Sequence, residues 1–344
     1  MNLISFRKPF LFAALASALV FTSSCENDKE EASPFSDGVF VTNEGQFNSV
    51  NAEVSFISRD GKTVIPALFN QVNNRPLGDA AQSMTFIGDK AYIVVNNSQK
   101  IEVVDGRTFS STGVINDLSI PRYMAALNNN KAYVTEYVGY SFFGYTGTGR
   151  VSVLNLANNT VTKTIDVGLL PEGALLHNGK LYVANSGGST VSIINTSTDA
   201  VEATLEVGNG PAHMVLDANN KIWVIRGTYG EPGALVKIDP ANNHAITSYQ
   251  IPGSGLLTIN GSKNTLYYSS AGKIYSMSVT ATAAPTTPLI SRNPYGLGLD
   301  PESNKLYLGV GGYTTNGWVV RYETTGARID SFQVRVLPNG FTFR

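Results

Sequence analysis

Chemistry needs side chains that bind metals, attack carbonyls or move protons, and this sequence offers few in useful arrangements. The three histidines, His177, His213 and His244, are scattered through 344 residues, and the single cysteine, Cys25, is remote from all of them. No His/Cys cluster has metal-ligand spacing, and no nucleophile motif occurs. Ser186-Gly187-Gly188-Ser189 is glycine-rich, but no Lys follows and an apolar strand comes next, so it reads as a turn and not a phosphate cradle. One stretch does stand out: Glu136-Tyr137-Val138-Gly139-Tyr140-Ser141-Phe142-Phe143-Gly144-Tyr145-Thr146-Gly147-Thr148-Gly149 sets five aromatics among four glycines. Aromatic faces stack on flat or apolar rings at small entropic cost, and glycines let a loop adapt. Its chemistry is that of binding, unless some of the rings fold back onto neighbouring loops.

These residues must be held by something, and the holder is a repeat. An aromatic follows one apolar residue in Val39-Phe40-Val41, Ala91-Tyr92-Ile93, Ala132-Tyr133-Val134, Leu181-Tyr182-Val183, Ile222-Trp223-Val224, Leu266-Tyr267-Tyr268 and Leu306-Tyr307-Leu308. From Phe40 to Tyr307 the spacings are 52, 41, 49, 41, 44 and 40 residues. Polar turns such as Asn178-Gly179-Lys180 and Asn219-Asn220-Lys221 precede the aromatic strand and suit a tight hairpin. A second apolar strand follows, as at 191–195, and a third after an Asn/Asp-rich turn, as at 200–207. A Pro-led strand comes next, at Pro121-Arg122-Tyr123-Met124, Pro171-Glu172-Gly173-Ala174, Pro211-Ala212-His213-Met214 and Pro294-Tyr295-Gly296-Leu297. Proline is tolerated there because it opens the strand. Four strands per roughly 44 residues match the blade of a β-propeller.

The two ends of the repeat complete each other. Val39-Phe40-Val41 is a second strand with no first strand before it, and Pro338-Asn339-Gly340-Phe341-Thr342-Phe343-Arg344 is a first strand with no second after it. Pairing them closes an all-β ring of seven four-stranded blades and removes a frayed edge. The pattern is weakest around residues 260–280.

Thirty-three Gly, sixteen Tyr and sixteen Phe with few charges suit short strands and tight turns. The net charge of −1 leaves no basic field for a nucleic-acid backbone. Residues 1–8 are basic, 9–21 form an apolar run too short to span a bilayer, and Thr22-Ser23-Ser24 precede Cys25. The stretch Val20-Phe21-Thr22-Ser23-Ser24-Cys25 resembles a bacterial lipobox, which implies cleavage before Cys25, lipidation of its thiol and tethering to a membrane by lipid alone. The expected organisation is a signal peptide at 1–24, a lipidated Cys25 with an acidic tether at 25–36, and the propeller at 37–344. Lys29-Glu30-Glu31 also resembles the acidic signal that sends some Gram-negative lipoproteins to the outer face of the outer membrane.

Tyr182-Val183-Ala184-Asn185 followed by 190–195, with Phe40-Val41-Thr42-Asn43 as a second copy, resembles the YVTN repeat of YncE-like surface propellers. Over nearly all of 37–344 the order of motifs is similar to a group of Gram-negative surface lipoproteins. The motifs include Thr42-Asn43-Glu44-Gly45-Gln46-Phe47, Leu77-Gly78-Asp79 with Gln82-Ser83-Met84, 91–97, 119–124, 293–301 and the terminal Phe341-Thr342-Phe343-Arg344. The resemblance implies a seven-bladed lipoprotein propeller that works beside a TonB-dependent transporter. The wider group includes surface proteins that capture cobalamin and pass it to that transporter.

In a propeller the loops between second and third strands and those leading into first strands share one face around the channel mouth, and variation there is where function is sought. The residues expected on that face are Phe47, Asn96, Asn97, Arg122, Tyr123, Tyr137, Tyr140, Phe143, Tyr145, Glu172, Asn185, His213, Arg226, Tyr229, Tyr295, Tyr313, Asn316 and Trp318. His177 and His244 fall near turns on the opposite face. Tyr123 and Tyr295 occupy equivalent positions and either contact a ligand or stack inside the channel mouth. Glu172 and Arg226 either meet a ligand or pair across the channel. The expected activity is non-enzymatic capture of a small-molecule nutrient, cobalamin-like or another large one, for a transporter, with no cofactor of its own. A protein-interaction or adhesion propeller would use the same face. A lactonase-like enzyme would need Glu44, Asn96, Asn185 and Asn316 to converge on a metal.

Overall fold

The computed structural model describes residues 33–141, 144, 145 and 147–344, the side chains at 140, 141 and 145 excepted. The expected leader and Cys25, and Phe143 of the aromatic loop, lie outside the described residues. Strands form where apolar alternation meets a turn residue able to reverse the chain. Between Pro171–His177 and Lys180–Asn185, for example, Asn178 and Gly179 both take positive φ, 48° and 72°. That is the two-residue turn matched to the twist of a hairpin.

The strands group into seven antiparallel sheets plus a small hairpin of Tyr140–Ser141 with Gly144–Tyr145. The innermost strands of the seven sheets are Pro338–Phe343, Ala81–Ile87, Ile120–Ala126, Pro171–His177, Pro211–Leu216, Leu257–Ile259 and Gly296–Leu299. Each touches the inner strand of the next sheet, and Gly296–Leu299 touches Pro338–Phe343, so the ring is closed. The chain is a seven-bladed β-propeller. Counting from the blade that holds both chain ends, the third is built of Ile120–Ala126, Lys131–Tyr137, Gly149–Asn155 and Thr160–Val167.

Second strands are buried between blades, whereas fourth strands such as Ala200–Glu206 alternate with solvent. The repeated aromatics Phe40, Tyr92, Tyr133, Tyr182, Trp223, Tyr267 and Tyr307 are all buried, forming the lock between neighbouring sheets. Burial of a Phe-sized side chain is worth roughly 1.5–3 kcal/mol. Polar tips find partners: Trp223 Nε1 donates to Asp217 at 2.8 Å, and the Tyr133 hydroxyl donates to Asp199 at 2.6 Å.

Closure follows the expected pairing, with Val39 opposite Phe343, Phe40 opposite Thr342 and Val41 opposite Phe341. Arg59 clamps the seam. Its guanidinium reaches Asp300 at 2.9 Å, Asp37 at 2.5 Å, Glu302 at 2.7 Å and the carbonyl of Arg344 at 3.0 Å. Phe35, assigned to the tether on sequence, is buried against Phe40, Phe56 and Phe109.

Two spacings exceed the repeat for structural reasons. The 52-residue step contains the helix Leu68–Asn73, whose Phe69 and Asn70 amides donate to the Glu53 carboxylate, and the 49-residue step contains the aromatic loop. The sixth blade, where the pattern is weakest, departs from four strands. Leu257–Ile259, Thr265–Ser270 and Lys273–Ser278 form its sheet, and the outer place is held only by an Ile274 to Ile290 bridge. No helix among the described residues is long and apolar enough to cross a membrane.

Candidate functional site at the channel mouth

The Pro-led inner strands carry the first layer of the site. Arg122 follows Pro121 in the third blade, and Glu172 follows Pro171 at the same position in the fourth, so adjacent blades present opposite charges side by side. Arg122 donates to Glu172 at 2.7 and 3.2 Å and to Gln82 Oε1 at 2.5 Å. The Tyr137 hydroxyl also donates to Glu172, and the Arg122 guanidinium lies 4.7 Å from the Tyr137 ring centroid. Gln82 in turn donates to the Tyr123 hydroxyl at 3.0 Å. The expected Glu172 to Arg226 pair is thus replaced by Glu172 to Arg122: inner strands of neighbouring blades are in contact, whereas Arg226 ends a second strand in the fifth blade. Arg226 lies beside Gly208, and its buried Nε has no hydrogen-bond partner.

Tyr123 and His213 occupy the same position two blades apart, with Gly173 between them. A Cβ at Gly173 would sit 2.5 Å from the Ala212 carbonyl. Its absence lets the Tyr123 and His213 rings meet edge to face at 5.8 Å across the fourth blade. Burial, reinforced by Glu172, pushes the Tyr123 phenol up to about 12. Burial pushes His213 below its ordinary value; Glu172 pulls it up by less, and the charge of Arg122 adds a smaller push downward. Tyr137 is raised by burial and Glu172, and Arg122 stays charged because, although burial opposes it, Glu172, Tyr137 and Tyr123 together with the hydrogen bond to Glu172 outweigh that cost. At neutral pH this layer therefore contains one charge pair and neutral rings.

Below it is a cavity of about 220 Å³ lined by Gln82, Tyr123, His213, Leu257, Asn339 and Thr42 among others. Two buried acceptors there, Thr42 Oγ1 and Asn339 Oδ1, lack partners, while the Asn339 amide donates to the carbonyls of Ala81 and Gln82 at 3.0 and 3.2 Å. Gln82, Thr42 and Asn339 were absent from the expected site. Their signal is position: each lies on or beside an inner strand, as Arg122 and Glu172 do.

Elsewhere the face divides into anchored and exposed residues. Asn96 is buried and donates to the Pro121 carbonyl at 3.0 Å, and Asn185 is buried against Thr190 and Ser192. Tyr295 donates to Glu44, and its ring meets Tyr313 at 6.2 Å. The lactonase-like convergence of Glu44, Asn96, Asn185 and Asn316 is not formed: Glu44 is taken by Tyr295 of the seventh blade, Asn96 by Pro121 of the third and Asn185 by its own blade, and Asn316 is exposed. Tyr137 belongs to the buried end of a strand and to the channel network, so the aromatic loop proper begins after it. Tyr140 and Tyr145 face each other in the short hairpin, their side chains outside the described residues. Phe47, Tyr229, Tyr313 and Trp318 are exposed, and all four lie at loops between second and third strands. His177 and His244 lie at turns on the opposite face, where the His244 ring is 3.1 Å from the Tyr182 hydroxyl. Among the described residues no three His, Cys, Asp or Glu side chains stand together as a metal site.

The profile of a domain of unknown function, DUF5074, matches residues 37–343. The chain belongs to the DUF5074 family. Comparison with curated protein sequences finds no match. Among solved structures, this DUF5074 propeller is similar to a quinonprotein alcohol dehydrogenase-like protein from Bacteroides thetaiotaomicron, at 16% identity and a TM-score of 0.70, over 90% of this chain and 78% of that one. It is also similar to a functionally unknown protein from Desulfotomaculum acetoxidans, at 11% identity and TM-score 0.69, over 90% and 99%. A protein proposed to be a 6-phosphogluconolactonase, from Bacteroides fragilis, shares 13% identity and TM-score 0.64, over 90% and 98%. At such identities the likeness is one of fold.

Proposed function

We propose that this DUF5074 propeller is a non-enzymatic, lipid-anchored surface protein that captures a large nutrient on its loop face and passes it to a TonB-dependent transporter. The observation that carries this reading is the placement of the exposed rings on one face. All four exposed aromatic side chains among the described residues, Phe47, Tyr229, Tyr313 and Trp318, sit on one face, spread over the first, fifth and seventh blades. Exposed rings cost solvation unless a partner covers them. A ligand that touches loops of several blades at once must be broad, and the 220 Å³ channel cavity is too small to hold it. Cobalamin-like macrocycles have the required size and flat apolar faces, and stacking on them matches the aromatic loop of the third blade. Binding rather than catalysis is favoured because Arg122, Glu172, Tyr137, Gln82 and Tyr123 satisfy one another, leaving no free base or nucleophile in that network. Calorimetry of the chain from residue 26 against cobalamins and haem tests the proposal. Heat with a macrocycle supports it, and no heat with any of them rejects the macrocycle reading.

A further inference from the structure

The incomplete sixth blade opens a second site. After Lys273–Ser278 the chain does not form an outer strand, and only the Ile274 to Ile290 bridge fastens the following segment. The face of the seventh blade that a fourth strand would cover is sealed near the core by Leu289 and Ile290. Farther out it is left open as a groove of about 280 Å³ lined by Arg292, Val310, Trp318, Val320, Arg328 and Ser331.

The lining has a definite chemistry. Trp318 is 43% exposed, so its indole presents an apolar wall to solvent. Arg292 and Arg328 are exposed, and no carboxylate lines the groove. Arg328 donates to Ser331 Oγ at 2.8 Å, which fixes its direction. The adjacent acid, Asp330, is held by Arg321 at 2.5 and 2.8 Å and does not neutralise the groove. Two arginines thus line one groove beside an indole in a protein whose formal net charge is −1.

We infer that this groove binds an acidic saccharide, with a uronate ring lying on Trp318 and its carboxylate between Arg292 and Arg328. Guanidinium pairs carboxylate in a planar, two-bond geometry, and an indole face accepts the C–H face of a pyranose ring. The volume lies just under the ~300–1,000 Å³ of pockets for drug-sized ligands, which suits one sugar unit and excludes a macrocycle. Trp318 is shared with the loop face, but the inference does not depend on what the other loops bind.

The test uses tryptophan fluorescence of the chain from residue 26, titrated with oligogalacturonate. Of the two tryptophans, Trp223 is fully buried, so a saturable change reports Trp318. Binding should weaken at least tenfold in R292Q/R328Q, with folding checked by circular dichroism. Calorimetry should show that W318F retains most of the affinity and W318A does not. Absence of binding overturns the proposal. So does equal affinity for the neutral methyl-esterified oligomer, equal affinity for inorganic phosphate, or binding unaffected by the arginine substitutions. Macrocycle capture is probed separately with F47A/Y229A/Y313A, which leaves the two arginines of the groove intact.

Discussion

Replacing Glu172 by Gln tests how the channel mouth is held. The carboxylate is 12% exposed and Arg122 is 19% exposed, so the pair is largely out of water. Gln preserves the shape and can accept one hydrogen bond, but it leaves the Arg122 charge against neutral groups, Gln82 and the Tyr137 ring. Removing one partner of a buried pair costs about 3–5 kcal/mol, and the retained bond and residual exposure place this change near the lower end, about 3 kcal/mol. For a chain of this length that corresponds to a melting-temperature drop of roughly 5 °C. Arg122→Met, which strands Glu172, should lose a comparable amount. The double variant R122M/E172Q removes both charges and should recover at least ~2 kcal/mol relative to the sum of the singles. Thermal and urea denaturation of the four proteins measure the cycle. A drop below about 1 °C in E172Q, or single effects that add within ~0.5 kcal/mol, refutes the coupled pair.

Arg59→Met should loosen the seam, with faster amide exchange along Pro338–Phe343 and a loss of about 2–4 kcal/mol, because Asp300 is left buried without its cation. Burial raises the Asp300 carboxyl, but hydrogen bonds from Ser303, Glu302 and Arg59 hold it below its ordinary value. The stability this gives is present above the unfolded value near 3.9 and is lost as pH falls through the folded one, so R59M should unfold at higher pH in an acid titration. Gly173→Ala places a Cβ 2.5 Å from the Ala212 carbonyl and should cost ~1–3 kcal/mol while separating Tyr123 from His213. The denaturation midpoint and the His213 ring shifts in NMR follow the two effects.

The repeat was legible because a single physical requirement, a large ring locked between sheets, recurs at each second strand from Phe40 to Tyr307. Ring closure was legible because two unpaired strand edges at the ends have only each other to satisfy them. The sixth blade resisted reading because residues 279–295 keep the polar composition of a turn-rich blade without the alternation of an outer strand. Partner choice within the channel was not legible from charge alone, since Glu172 has two cations on its face. Counting from the prolines would have resolved it: Pro121-Arg122 and Pro171-Glu172 share one position on inner strands that touch. Phe47, Tyr229, Tyr313 and Trp318 were legible as loop aromatics, but whether a loop ring is exposed or folded back depends on its neighbours. Tyr295 shows this, anchored on Glu44 and against Tyr313.

The loop face as a binding surface is tested most directly by comparing the chain from residue 26 with its F47A/Y229A/Y313A variant in calorimetry against a panel of cobalamins and haem. The three rings are 63%, 105% and 71% exposed, so their loss should leave the melting temperature within about 1 °C. We expect a saturable heat with one macrocycle for the parent chain and at least a tenfold weaker affinity for the variant. Equal affinity in the two proteins, or no heat in either, contradicts capture on this face.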